Sequence, residues 1–174
     1  MEAKHIIEQR LQPVMKQLET VSGLKEMFRN CFLNTLETTV QKQEPGDTFI
    51  ITGDIEAMWL RDSTAQVLHY VRFADDPAVA ALIEGLLNRQ VKCVAVDPYA
   101  NPSNEPASDR HWDTDDLPKA DPQVWERKYE IDSLCWPLLL AERLEQKTGQ
   151  KNFLTPGFHE MMKTVVRVFR TEQN

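Results

Sequence analysis

No uninterrupted apolar run in this chain comes near eighteen residues, which excludes an ordinary membrane-spanning helix. Clusters of lysine and arginine are also missing, and 27 acidic residues outnumber 20 basic ones for a net charge of −7. A nucleic-acid binder needs a basic face, so that class is excluded. Cysteine is scarce: Cys31, Cys93 and Cys135 are odd in number, widely spaced and without a C-x-x-C pair. They support no disulfide framework and read as buried free thiols, which predicts a reducing, cytoplasmic setting. His69, His111 and His159 lack ligand-like spacing and read as ordinary surface or core residues. The first ten residues carry too much charge for the apolar region of a signal peptide. There is no internal repeat. What remains is a chain of 174 residues with 41% hydrophobic and 27% charged content, enough for one domain with a real core.

Residues 47–64 are the densest stretch. A short β-branched run, Phe49 to Thr52, is bounded by Gly46 and Gly53 and predicts an extended segment. Asp54, Glu56, Trp59, Arg61 and Asp62 then follow, interleaved with Ile55, Met58 and Leu60. A solvated loop does not need that apolar content, and a buried helix does not need those charges. Aromatic surface beside carboxylates and a guanidinium suits a sugar pocket: the ring covers the C–H face of a pyranose and the charged groups bond its hydroxyls. The plain alternative is that Asp62-Ser63-Thr64 caps a helix, Arg61 pairs with Asp54 or Glu56, and Trp59 belongs to the core.

The rest of the chain is mainly helical in pattern. Residues 2–20 place Ile6, Ile7, Leu11, Val14, Met15 and Leu18 at helical spacing, with a kink or a break into two helical pieces expected at Pro13. Leu24, Met27, Phe28, Cys31, Phe32 and Leu36 mark a second helix that stops before Pro45-Gly46. A third helix over 65–73 begins on Asp62-Ser63-Thr64, so its positive end points at the candidate site. Pro77 opens a fourth, through Val91, at a position where proline is favourable. Five prolines between 96 and 124 predict a long loop, and Tyr99, Trp112 and Trp125 argue that it is ordered. Its aspartates, Asp109, Asp113, Asp115, Asp116 and Asp121, do not fit a calcium loop: Pro118 stands where glycine is required. Glu130 to Glu145 predicts a helix with Pro137 as a kink or its true first turn, ended by Gly149, and Phe158 to Phe169 a last one. Glu130 and Asp132 lie beside Trp125 and Tyr129, either as a site rim or as dipole partners of that helix.

Three ordered blocks carry a resemblance. The stretch from Phe49 to Gln66 is similar to the signature of the family 125 glycoside hydrolases; Trp125 to Cys135 and Phe169 to Gln173 resemble two further blocks. The resemblance runs from about Gly23 onward. It implies an exo-acting, inverting α-mannosidase that takes α-1,6-linked mannose, needs no metal or other cofactor, and has a mannose-containing oligosaccharide as its partner rather than a membrane or nucleic acid. It also implies an all-α fold of helical hairpins, the (α/α)6 barrel. Six hairpins make such a barrel and this chain supplies roughly three, so residues 1–174 are expected to be the N-terminal portion of one catalytic domain. Inversion needs two carboxyl groups about 6.5–9.5 Å apart, and Asp54, Asp62, Glu130 and Asp132 are the candidates here. The resemblance instead places the general acid and base beyond Asn174. It leaves Asp54, Trp59, Arg61, Asp62, Glu130 and Asp132 as expected substrate-binding residues. The rival expectation is a non-catalytic helical glycan-binding module or a truncated remnant.

Overall fold

The computed structural model describes residues 1–173 except 106–109, 113, 114, 116 and 118, and only the backbone of Lys42 and Gln43. Asp109, Asp113, Asp116 and Pro118 of the acidic stretch thus lie outside the described residues. The fold is mostly helical, with two small antiparallel sheets.

Helix α4 (Pro77–Val96) is the centre. It buries Val79, Leu82, Ile83, Leu86, Leu87, Cys93 and Val94 on nearly all sides, the pattern of a helix enclosed by neighbours. Its start is set by Asp76, whose side chain accepts from the Ala78 N–H at 2.9 Å, and by Pro77 in the first turn. Around it pack α1 (Glu2–Leu18), α5 (Trp136–Thr148) and α6 (Pro156–Glu172), while α2 (Leu24–Asn34) packs on α1. In α1 the buried stripe is Ala3, Ile7, Leu11 and Met15, each one turn after the last. The helix runs on through Pro13 instead of breaking. Pro13 is exposed, so the one carbonyl that loses its donor faces water. Gly149, at φ +68°, ends α5 with its N–H donating to the Glu145 carbonyl at 2.8 Å. Pro137 sits in the first turn of α5, where it costs little.

The sheets are the main departure from the all-α expectation. Helix α2 ends at Asn34 and passes through a π-helical turn, Thr35–Thr39, into strand β1 (Val40–Glu44). A turn at Pro45-Gly46, with Gly46 at φ +73°, returns the chain as β2 (Asp47–Ile50). Strand β2 lies almost in backbone contact with α4. A Cβ at Gly85 would stand 2.5 Å from the Thr48 hydroxyl oxygen. Arg89 of α4 locks this packing, its guanidinium binding both carboxylate oxygens of Asp47 as well as Glu105. All but 8% of the Arg89 side-chain surface is covered.

The second sheet pairs β3 (Ala57–Met58) with β4 (Ser103–Asn104). The expected loop over 96–124 is therefore anchored at both ends. Residues 99–104 run antiparallel to 123–128, with Asn101 N–H to Glu126 O at 2.7 Å, Trp125 N–H to Pro102 O at 2.9 Å and Asn104 N–H to Gln123 O at 2.7 Å. Three short segments thus form one ribbon. Of the cysteines only Cys93 is buried; Cys31 and Cys135 are exposed, against expectation. Cys31 stands on α2, which fully buries only Leu33, and Cys135 in a one-turn helix, Ser133–Cys135.

Candidate functional site

The ribbon decides which distant residues meet. Its first segment delivers Trp59, Arg61 and Asp62; its last runs through Trp125 and leads to Glu130 and Asp132. Helix α3 (Leu60–Leu68) starts directly after β3. The capping expectation for Asp62-Ser63-Thr64 is not met, because the N-cap is Trp59 and makes no side-chain cap bond. Arg61 and Asp62 stand instead in the first helical turn, where Asp62 complements the positive dipole end. Gln90 of α4 secures this turn from beneath: its amide nitrogen reaches Leu60 O at 3.2 Å, Ser63 Oγ at 3.0 Å and Thr64 Oγ1 at 2.9 Å.

Arg61 is the hub. Its Nη1 donates to Glu130 Oε2 at 2.8 Å and lies 3.7 Å from Asp132 Oδ2, while Nε is 3.4 Å from Asp62 Oδ2. Burial works against the guanidinium charge, but the Glu130 hydrogen bond and the nearby carboxylates outweigh it and hold the pKa above its ordinary value. Asp132 is oriented by the Trp136 indole N–H at 3.1 Å. Lys128 binds Glu126 at 2.8 Å and lies 4.0 Å from Glu130. Three carboxylates around one guanidinium leave oxygen acceptors in excess of donors, which suits a ligand rich in hydroxyl groups. Asp62 Oδ2 is buried and accepts no hydrogen bond; the Trp59 indole N–H is buried and donates none.

An aromatic set adjoins this cluster. The Trp59 and Trp112 rings are 6.1 Å apart, and Trp112 meets Trp125 edge-on at 5.9 Å and 90°. Tyr129 pairs with Tyr99 at 6.4 Å.

Arg61, Asp62, Glu130 and Asp132 are thus brought together, with Trp59 adjoining them in the chain. Asp54 is apart: it is exposed and its carboxylate accepts from the Ile55 N–H at 3.0 Å, a local turn. Glu56, an alternative partner for Arg61, binds Arg110 instead. Gln90 and Lys128 escaped the sequence reading. A polar residue on the most apolar helix was the available signal for Gln90; Lys128 had none. Among the described residues no group of three His, Cys, Asp or Glu side chains is placed to hold a metal ion.

Comparison with known proteins bears on this arrangement. The profile of the family Metal-independent alpha-mannosidase (GH125) matches residues 22–174. The Meiotically up-regulated gene 157 protein of Schizosaccharomyces pombe is 32% identical over 180 residues, spanning 97% of this chain and 35% of that protein. A Streptococcus pneumoniae metal-independent alpha mannosidase, solved as a non-productive substrate complex with alpha-1,6-mannobiose, superposes with a TM-score of 0.90 at 37% identity. That match covers 98% of this chain and 40% of the solved one. The chain spans well under half the length of either relative.

Proposed function

This chain belongs to the metal-independent α-mannosidase family GH125, and from that premise we propose that it forms the substrate-binding N-terminal portion of an exo-acting, inverting α-mannosidase domain. In this reading residues 1–174 make about half of an (α/α)6 barrel and the remaining hairpins lie outside them. The substrate is an oligosaccharide ending in α-1,6-linked mannose, the linkage present in the ligand of the Streptococcus pneumoniae relative.

The observation that carries the reading is the Arg61 cluster. Glu130, Asp132 and Asp62 all lie within 3.7 Å of one guanidinium. Carboxylates held by a shared cation are suited to positioning a ligand, and by the resemblance to the family the acid and base, which in an inverting pair stand about 6.5–9.5 Å apart with room for a water, belong to the part of the domain beyond residue 174. The role left to this half is to hold the non-reducing mannose. The Asp62 carboxylate, whose side chain is part exposed, accepts a sugar hydroxyl, Arg61 and Glu130 take neighbouring hydroxyls, and Trp59 faces the apolar side of the ring. Such positioning supplies a large share of a catalytic barrier.

The test is mannose release from α-1,6-mannobiose by the full-length protein, by its Asp62→Asn variant and by residues 1–174 alone. Asn preserves shape but forfeits a charge-assisted bond, so kcat/KM is expected to fall about thirtyfold, a loss of about 2 kcal/mol. Residues 1–174 alone are expected to release no mannose. Turnover by that segment would make its own carboxylates the catalysts and overturn the assignment.

A further inference from the structure

Asp132 is the loosest member of the Arg61 cluster. Its side chain is 51% exposed, against 25% for Glu130 and 38% for Asp62. Arg61 Nη1 stands 3.7 Å from Asp132 Oδ2, beyond hydrogen-bond length, whereas it reaches Glu130 at 2.8 Å. So exposed and distant a pair does little to fix a side chain. One hydrogen bond does: the Trp136 indole N–H donates to Asp132 Oδ2 at 3.1 Å. That donor is well founded. Trp136 opens α5 one helical turn after Asp132, and the one-turn helix Ser133–Cys135 between them keeps both side chains on one face. The Asp132 carbonyl accepts from the Cys135 N–H at 2.8 Å, which fixes the backbone spacing as well. Pro137, Leu140 and Leu144 are buried and seat α5 against α3, the helix that carries Arg61.

We propose that Trp136 is a positioning residue of the sugar site: its N–H holds Asp132 Oδ2 on the side of Arg61 and leaves Oδ1 as the acceptor for a substrate hydroxyl. This rests on the mannoside reading of the Arg61 cluster, and Trp136 itself touches no sugar. Among the described residues the indole makes the single hydrogen bond to the Asp132 carboxylate, and it approaches the same oxygen as the guanidinium does. The neighbouring carboxylates need no such help. Glu130 presents one oxygen to Arg61 and the other towards Lys128, and Asp62 stands beside Arg61 in the first turn of α3. The donor is also neutral. It orients Asp132 without adding a second positive charge, so the carboxylate keeps the acceptor strength of an anion. An acceptor already turned to its working direction loses no further rotamer freedom when the sugar arrives.

Steady-state release of mannose from α-1,6-mannobiose by the full-length protein reads this role in two variants. Trp136→Phe keeps a ring and removes the N–H. Trp136→3-benzothienylalanine keeps the whole bicyclic shape, with sulfur in place of the N–H, and so leaves no gap in the packing. Both are expected to raise KM about fivefold, the order expected when one side chain must be immobilised anew on binding. The hydroxyl contact is made in the bound and the transition state alike, so kcat should change by less than about twofold. In an Asp132→Ala background, Trp136→Phe is expected to add almost nothing, because the group it acts through is gone. An unchanged KM in both variants overturns the proposal. So does a raised KM in Trp136→Phe alone, which traces to lost packing. A fall in kcat at constant KM, or an equal loss in the Asp132→Ala background, marks a merely structural residue and overturns it too. A wild-type protein that releases no mannose removes the mannoside reading, whereas an active wild type with unaffected variants removes only the role of Trp136.

Discussion

Replacing Gln90 by methionine tests whether α4 positions the candidate site. Gln90, Ser63 and Thr64 are all fully buried. The two N–H groups of the Gln90 amide serve three acceptors on the first turn of α3, at 2.9, 3.0 and 3.2 Å. Methionine has similar length and volume, so no sizeable cavity forms and the change isolates the hydrogen bonds. Two bonds lost at about 1 kcal/mol each cost about 2 kcal/mol of stability. The Leu60 carbonyl keeps the Ser63 hydroxyl at 3.3 Å, which limits the penalty. The turn that loses its clamp carries Arg61 and Asp62. A shift of about 1 Å there lowers turnover on the order of a hundredfold, so activity should fall further than the stability loss alone implies. Urea denaturation and mannose release, both on the full-length protein, measure the two effects. Stability within about 0.5 kcal/mol of wild type would refute the hydrogen-bond accounting. Lost stability with unaltered kcat/KM would show that Gln90 holds the fold and not the site.

Two further outcomes follow from the same helix. Gly85→Ala is expected to destabilise by about 1–2 kcal/mol despite alanine's better helix propensity, because overpacking costs more than the propensity returns; the new methyl would meet Thr48 Oγ1 at 2.5 Å, and a variant with a higher urea midpoint would refute the close approach. Glu84→Gln acts through pH: burial raises the Glu84 pKa above 4.5 in the folded state, so the favourable contribution is present below that value and is lost as pH rises through the folded pKa. The glutamine variant should be the more stable at pH 7 and lose its advantage at pH 4; equal urea midpoints at pH 7 would contradict this.

Much of the helical frame was legible because local physics agrees with the final packing. The i, i+4 stripe of α1, the Pro77 and Pro156 starts and the Gly149 stop all act within a turn or two of themselves. Of the β1–β2 hairpin only part of β2 was legible, as the extended run expected over Phe49 to Thr52; β1 was not, since Val40–Glu44 is largely polar and does not alternate. The ribbon is harder still. Its β3–β4 pairing joins two-residue strands over 40 positions apart, and no local pattern encodes such a partnership. The site shared this division. Trp59, Arg61 and Asp62 were visible as a chemically dense run, and Glu130 and Asp132 as a second. That both carboxylates converge on Arg61 is a product of the ribbon. Asp54 looked equivalent to its neighbours in sequence, but the turn after Gly53 spends its carboxylate on the adjacent backbone.

The central place of α4 has a consequence for synthesis. Helix α1 and the β1–β2 hairpin both rest on α4, yet they leave the ribosome before it. At 5–20 residues per second, the 20 residues of α4 take about 1–4 s to appear. Until then Ile7, Leu11, Phe49 and Ile50 lack the α4 surface and have only one another and the small apolar face of α2 to bury against. The emerging chain therefore passes through a window in which its most apolar segments are made but unpaired. A rare-codon pause within 77–96 would lengthen that window, whereas the same pause within α6 would leave uncovered only the face of α4 that Phe158, Met161, Val165 and Val168 pack on.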